Sequence, residues 1–163
     1  MATPVIATPT QAITFASEGL APPDPTQATR DAFALARQIV FEDGMENEFL
    51  PRLTKIVERY GAPAIQEIER LIMQNTVSPE IAAVALRYLG GMDHRTSYRK
   101  RLAILITALG HASPQVRDGA ALGLAALDDP LAIPSLEDAI KNEPIADLRQ
   151  DMQLVLTQLK ELA

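Results

Sequence analysis

The chain has no cysteine and no tryptophan, only two histidines, and 4% aromatic residues. The first absence excludes disulfides, thiolate metal sites, iron–sulfur ligation and cysteine nucleophiles, and two histidines, His94 and His111, leave little for a catalytic metal or a histidine relay. Positive charge is also short, with 15 Lys+Arg against 21 Asp+Glu and a net charge of −6. Whole-surface binding to nucleic acid or to an anionic membrane needs the opposite balance, because Lys and Arg must neutralise phosphates. No apolar run reaches the roughly 18 residues that span a bilayer, and the N-terminus lacks the positive region of a secretory signal. Phosphate-cradling glycine loops, HExxH and G-x-S-x-G are missing as well. These absences predict a soluble cytoplasmic protein with no cofactor, no membrane partner and no enzymatic activity. What is present is 163 residues at 47% apolar content, enough for one domain with a real core.

Composition divides the chain near residue 26. Residues 1–26 hold five of the twelve prolines, Pro4, Pro9, Pro22, Pro23 and Pro25, and only two charges, Glu18 and Asp24. Proline removes donors and restricts the residue before it, so this segment is expected to be an extended arm, with Ile6, Ile13, Phe15 and Leu20 apolar enough to dock. From residue 27 the punctuation is helical, with Gly44, Gly61, Gly90, Gly91 and Gly110 as stops and Pro63, Pro79, Pro114, Pro130 and Pro144 as starts. Ser78 and Ser113 add cap oxygens for the first free amides. The stretches between predict eight helices, at about 27–41, 47–60, 62–75, 78–91, 97–110, 113–127, 130–142 and 145–162. No segment alternates with a period of two.

Four of these helices share one apolar template. Phe49, Leu53, Val57, Tyr60; Ile81, Ala85, Leu89, Met92; Val116, Ala120, Leu124, Leu127; and Leu148, Met152, Leu156, Leu159 each fall at i, i+4, i+8 and i+11, one face of an α-helix. The helices before them repeat too, with Phe33, Ala36, Val40; Ile65, Ile68, Ile72; Leu102, Leu105, Leu109; and Ile133, Leu136, Ile140 at i, i+3 and i+7. The eight helices therefore form four A–B hairpins. A hairpin of this size cannot bury its apolar face alone, so the pattern predicts an all-α fold, a short right-handed α-solenoid over residues 27–163. Gly119 and Gly123 inside one B helix cost stability unless a neighbouring helix approaches closely. The polar last helix (Gln150, Asp151, Gln153, Gln158, Lys160, Glu161) suits a terminal cap.

The segment Val116-Arg117-Asp118-Gly119-Ala120-Ala121-Leu122-Gly123-Leu124 and its continuation through Asp128-Asp129-Pro130 to Leu136 resembles the HEAT repeat, in particular the bilin-lyase-type HEAT-like subgroup. The start of the last helix, Leu148-Arg149, and the stretch from Ala64-Ile65 to Leu89 resemble further copies. The resemblance implies a binding scaffold. It also implies polar contacts between repeats from an Arg after the first apolar residue of each B helix, a place that Arg117 and Arg149 fill and Leu50 and Ala82 do not.

Two surfaces stand out as candidate partner sites. His94-Arg95-Thr96-Ser97-Tyr98-Arg99-Lys100-Arg101 carries four positive charges. With Thr96 or Ser97 as N-cap, Arg99, Lys100 and Arg101 would oppose the dipole of the next helix, and Tyr98 would anchor an acidic partner or a phosphate group. Lys55, Arg87, Leu122 and Leu154 share the i+6 position of the B template, so an inner groove would be basic at one end and apolar at the other. Such a groove suits a helix or extended peptide with an acidic and an apolar end. The acidic run 42–48 reads as a solvated turn without calcium-ligand spacing, and His111 as a helix C-terminal cap. The reading that follows is a non-catalytic adaptor or regulatory subunit for another protein with an acidic surface. The alternative is an accessory role in bilin attachment or phycobilisome handling. Nucleic-acid binding through Lys55, Arg87, Arg95, Arg99, Lys100 and Arg101 ranks below both.

Overall fold

The computed structural model describes residues 24–39 and 47–162. Its helices in chain order are α1 (Pro25–Ala36), α2 (Phe49–Tyr60), α3 (Ala62–Met73), α4 (Pro79–Gly91), α5 (Tyr98–Ala108), α6 (Pro114–Leu127), α7 (Ile133–Asn142) and α8 (Ala146–Glu161). Single 3-10 turns, Arg95–Ser97 and Pro130–Ala132, lead into α5 and α7. There is no strand among the described residues. The first 23 residues of the expected arm, Val40, Phe41 and the first part of the acidic run, residues 42–46, lie outside the described residues.

Proline stands in the first two positions of α1, α3, α4, α6 and α7, where its fixed φ suits the first turn and its missing N–H costs nothing. For that reason α1 begins at Pro25, inside the segment expected to be extended, and it ends at Ala36, short of the predicted 41. Gly61, at φ +59°, ends α2 and opens α3 in one residue. The caps differ from expectation. Ser78 accepts from the Ile81 N–H at 3.4 Å, but Ser97 and Ser113 precede their helices without a side-chain cap. His111 caps a neighbour's end: its Nε2 lies 3.3 Å from the Ile72 carbonyl in the last turn of α3, and its Nδ1 accepts from the Ser113 N–H at 3.0 Å.

The odd-numbered helices form one layer and the even-numbered helices the other, as A–B hairpins stacked side by side. In the A layer α1 packs on α3 and α3 on α5, while in the B layer α4 packs on α6 and α6 on α8. The template residues fill the space between the layers: Phe49, Leu53, Val57, Ile81, Ala85, Leu89, Val116, Ala120, Leu124, Leu148, Met152 and Leu159 are all buried. Phe33 of α1 meets Phe49 of α2 edge to face, with centroids 5.1 Å apart, and closes the N-terminal end of this core.

The tightest helix pair is α4 on α6. A Cβ added to Gly119 would lie 2.5 Å from the Cα of Ala83, and one added to Gly123 would lie 2.7 Å from the Leu86 carbonyl oxygen. A Cβ at Gly90 would overlap the Gly123 backbone outright. Close packing thus accounts for both glycines of α6, and for Gly90, which was expected only as a helix stop.

Candidate protein-interaction face

The four B helices lie in register. Ala83 at i+2 meets Gly119 at i+3, Leu86 at i+5 meets Gly123 at i+7 and Gly90 at i+9 meets Gly123, so α4 and α6 run parallel with their templates within about two residues of register. The Thr54 and Tyr88 hydroxyls, 2.6 Å apart, join α2 to α4. Gln158 Nε2 donates to the Ala125 carbonyl at 2.9 Å and to Asp128 Oδ1 at 2.7 Å, joining α8 to α6. With the layer so aligned, positions i+6 and i+10 stay exposed on all four helices. The first row is Lys55, Arg87, Leu122 and Leu154, and the second is Arg59, Gly91, Ala126 and Gln158. Leu122 is 36% and Leu154 65% exposed.

The strip has a gradient of chemistry. On α2, Arg52, Lys55 and Arg59 are all exposed at i, i+3 and i+7, and Arg87 of α4 extends this basic end. Among the described residues Arg52, Lys55 and Arg87 make no ion pair. Arg52 and Arg59 were not singled out from the sequence, although their spacing about Lys55 was the available signal. Asp118, half-buried beside the strip, has its carboxyl pushed up by burial and by the Asp151 carboxylate, with Arg87 pulling it down. The three therefore share one electrostatic neighbourhood across α4, α6 and α8.

The loop candidate adjoins this strip. A Cβ on Gly91 would lie 3.9 Å from the Ala126 Cβ, and both residues line a depression of about 250 Å³ with Met92, His94, Arg95 and Tyr98. Arg95, Arg99 and Lys100 are exposed. His94 is held locally, its Nδ1 2.8 Å from Ser97 Oγ and its Nε2 3.0 Å from Thr96 Oγ1. Tyr98 donates its hydroxyl to Asp129 Oδ2 at 2.5 Å, and burial together with that hydrogen bond pushes the phenol up to about 12.

Arg101 corrects the sequence expectation. It was placed on the surface patch, yet it is 1% exposed. Its guanidinium donates to the Leu89 carbonyl at 2.6 Å, the His94 carbonyl at 3.1 Å and Ser97 Oγ at 3.1 Å. Burial pulls its proton affinity down, with Tyr98 and Asp93 opposing. All of its fork is spent inside the protein, so the patch proper is Arg95, Arg99 and Lys100.

Of the arginines at the second B-helix position, Arg117 links one repeat to the next, while Arg149 ties the turn of its own hairpin. Arg117 grips Glu143 with two bonds of 2.7 and 2.9 Å and donates to the His111 carbonyl at 2.9 Å, while Arg149 donates to the Glu143 carbonyl at 2.9 Å. The Arg117 guanidinium holds the Glu143 carboxyl below the usual carboxylate range. Where Leu50 and Ala82 interrupt this ladder, the A layer supplies another link: buried Glu67 of α3 accepts from Arg30 of α1 at 2.9 Å and from Arg70 at 2.6 Å.

The family model for HEAT repeats matches residues 69–157, more than half of the chain. The chain belongs to the HEAT-repeat family. No curated protein and no solved structure matches this HEAT-repeat chain. Among its described residues no group of three His, Asp or Glu could hold a metal ion, and no helix is long and apolar enough to cross a membrane. A second depression, of about 380 Å³, lies between α5 and α7 on the A side. Its charged groups are already paired, Arg117 with Glu143 and Asp138 with Lys141.

Proposed function

We propose that this HEAT-repeat chain is a non-catalytic adaptor or regulatory subunit that holds another protein against the exposed strip of its B helices, with the edge at Gly91, Arg95, Arg99 and Lys100 as an adjoining contact. HEAT repeats in general mediate protein–protein interaction. The observation that carries the reading is the persistence of exposure at i+6 and i+10 on every B helix, with leucines at i+6 on α6 and α8. A leucine left in water on a face that also offers unpaired cations is matched by a protein surface that covers the one and neutralises the other. The net charge of −6 weighs against nucleic acid as that surface.

The test is capture from native lysate with the full chain and with a Lys55→Glu/Leu154→Ser double variant. A protein retained by the first and lost from the second, at unchanged melting temperature, is the expected result; equal retention by both would remove the strip from the interface. The bilin-lyase-type likeness of residues 116–136 favours a second reading, an accessory role in bilin handling. An absorption spectrum of the protein after incubation with a bilin separates the two, since the adaptor reading predicts no bound chromophore.

A further inference from the structure

The first turns of the A-layer helices share one edge of the molecule. Arg30 of α1 pairs with Glu67 of α3 at 2.9 Å, and Arg37, just past the end of α1, donates to the Thr76 carbonyl, past the end of α3, at 2.8 Å. These two helices therefore run parallel with their starts side by side. The 3-10 turn Arg95–Ser97 packs on α3 in the same way, and His111, beyond the end of α5, lies against the Ile72 carbonyl in the last turn of α3. Pro25 of α1, Ala62 of α3 and Tyr98 of α5 thus open onto one edge.

That edge holds the cation patch and the depression beside it. Arg95, Arg99 and Lys100 are exposed, and among the described residues they make no ion pair. Gly91, Met92, Ala126, Leu127 and Tyr98 supply the apolar part of the lining of the 250 Å³ depression.

The chain itself carries groups that match both. Residues 1–23 contain one charged side chain, Glu18, and Phe15 stands three residues before it. They join α1 at Asp24, whose φ of −60° and ψ of 131° are extended. Because α1 packs on α3 and α3 on α5, two helix steps of roughly 8–10 Å, about 16–20 Å in all, separate the start of α1 from that of α5. An extended chain reaches about 19–22 Å over the six residues from Asp24 back to Glu18, at roughly 3.1–3.6 Å per residue. Glu18 is therefore within range of the patch, and Phe15, about 10 Å further on, within range of the depression. Leu20, with a reach of about 12–14 Å, falls short.

From this match of length and charge we propose that the edge is the docking site of the chain's own N-terminal arm, with Glu18 paired to Arg95, Arg99 and Lys100 and Phe15 seated in the depression beside Met92 and Leu127. Tethering raises the effective concentration of the arm to about the millimolar range, so a contact too weak to hold a free peptide holds this one. A partner drawn to the same cations then has to displace the arm. That last consequence rests on the adaptor reading; the docking itself does not.

The chain has no tryptophan, so Phe15→Trp in the full-length protein places a lone indole at the seat. Its emission should be blue-shifted from that of the urea-unfolded chain and shielded from acrylamide. Reversal of the patch by Arg95→Glu, Arg99→Glu and Lys100→Glu should abolish the shift, as should Glu18→Lys alone. The two sets combined exchange the charges and should restore it. The three cations are exposed and unpaired, so the reversed chain should keep its far-UV circular dichroism.

An indole as accessible in the folded as in the unfolded chain overturns the proposal. So does a shift that survives reversal of the patch, a charge exchange that fails to restore it, or a shift that fades on dilution, which would make the occupant the arm of a second copy. A second measurement keeps Phe15 in place. Spin labels on Ser17→Cys and Ala103→Cys, the latter exposed on α5 one turn from Arg99, should report one short distance that the patch reversal abolishes; distances that the reversal leaves unchanged overturn the docking. Lysate capture separates this from the adaptor reading. If the indole is shielded while Lys55→Glu/Leu154→Ser retains everything the parent retains, the docking stands and the adaptor reading fails. If that variant loses the partner while the indole is accessible, the adaptor reading stands and this proposal alone fails.

Discussion

The Arg101 guanidinium donates to the Leu89 carbonyl at 2.6 Å, so a cation in the first turn of α5 closes the last turn of α4. This resolves the conflict seen in the sequence. A positive charge opposes the dipole of the helix that carries it, but here it meets the carbonyl end of the preceding helix, where cations are favoured. Its remaining donors bind the His94 carbonyl and Ser97 Oγ, which fixes the turn between the two repeats.

Replacement by an apolar side chain of similar length therefore strands several buried acceptors. Arg101→Met should lose about 2–4 kcal/mol of stability, measured by urea denaturation. Arg101→Lys keeps the charge but not the fork, and should fall between the parent and Met. A loss below 0.5 kcal/mol for Arg101→Met, within the ordinary scatter of surface substitutions, would show that the capping bonds contribute little.

At Gly119 two effects compete, and their sizes decide the sign. Alanine gains about 1 kcal/mol of helix propensity. Its Cβ, however, would stand 2.5 Å from the Ala83 Cα, and backbone cannot rotate away as a flexible side chain does. Overpacking of this kind costs about 1–3 kcal/mol, so Gly119→Ala should destabilise the fold on balance. Thermal unfolding of the single variant checks the sign, and Ala83→Gly in the same chain should not rescue it, because the Ala83 Cα and carbonyl oxygen stay in the way.

How much of this was legible in the sequence follows from the range of each interaction. The apolar templates depend only on helical periodicity within about 11 residues, and most of the residues they named are buried, with Tyr60, Met92, Leu127, Ile133, Ile140 and Leu156 partly buried against the core. The double glycine of α6 announced a close approach for the same reason, since its cost is local. Arg101 was misplaced because nothing local says that a side chain will turn inward toward carbonyls twelve residues back. Tyr98 and Asp129, bonded across 31 residues, escaped for the same reason. His111 was read correctly as a cap, but the helix it caps, α3, lies 39 residues upstream and only folding brings it near.

The Arg117–Glu143 pair gives a pH dependence with a defined sign. The Glu143 carboxyl is held below its ordinary value of 4.5, so its contribution is present above that pH and is lost as pH falls through the folded-state value. Glu143→Gln should lower the melting temperature at pH 7, and the gap to the parent should narrow as pH falls below 4.5 and close once it lies below the folded-state value. A gap that is constant across that range would mean that hydrogen bonding, which glutamine partly retains, carries the link without the charge.

Asp118 should behave in the opposite way. Burial and the neighbouring Asp151 raise its carboxyl above the ordinary 3.8, so the ionised form opposes folding at neutral pH and the fold gains as pH falls through the raised value. Asp118→Asn should raise the melting temperature at pH 7, with no benefit left once the pH lies below 3.8. A destabilised Asp118→Asn at pH 7 would show that attraction to Arg87 outweighs the burial of the carboxylate.

The glycine-lined crossing of α4 on α6 also divides the molecule by its opening behaviour. Where two backbones touch without intervening side chains, few fluctuations can admit water, so amide hydrogens of α4 and α6 should exchange last. The hairpins of α1 with α2 and of α7 with α8 have neighbours on one side only among the described residues, and they open first. The basic end of the B face runs from the outer α2 onto α4 and the leucine end from α6 onto the outer α8, so each end joins an outer unit to the slow centre. Anything bound along the whole face ties both units down at once, and its affinity is set in part by how much motion it has to still.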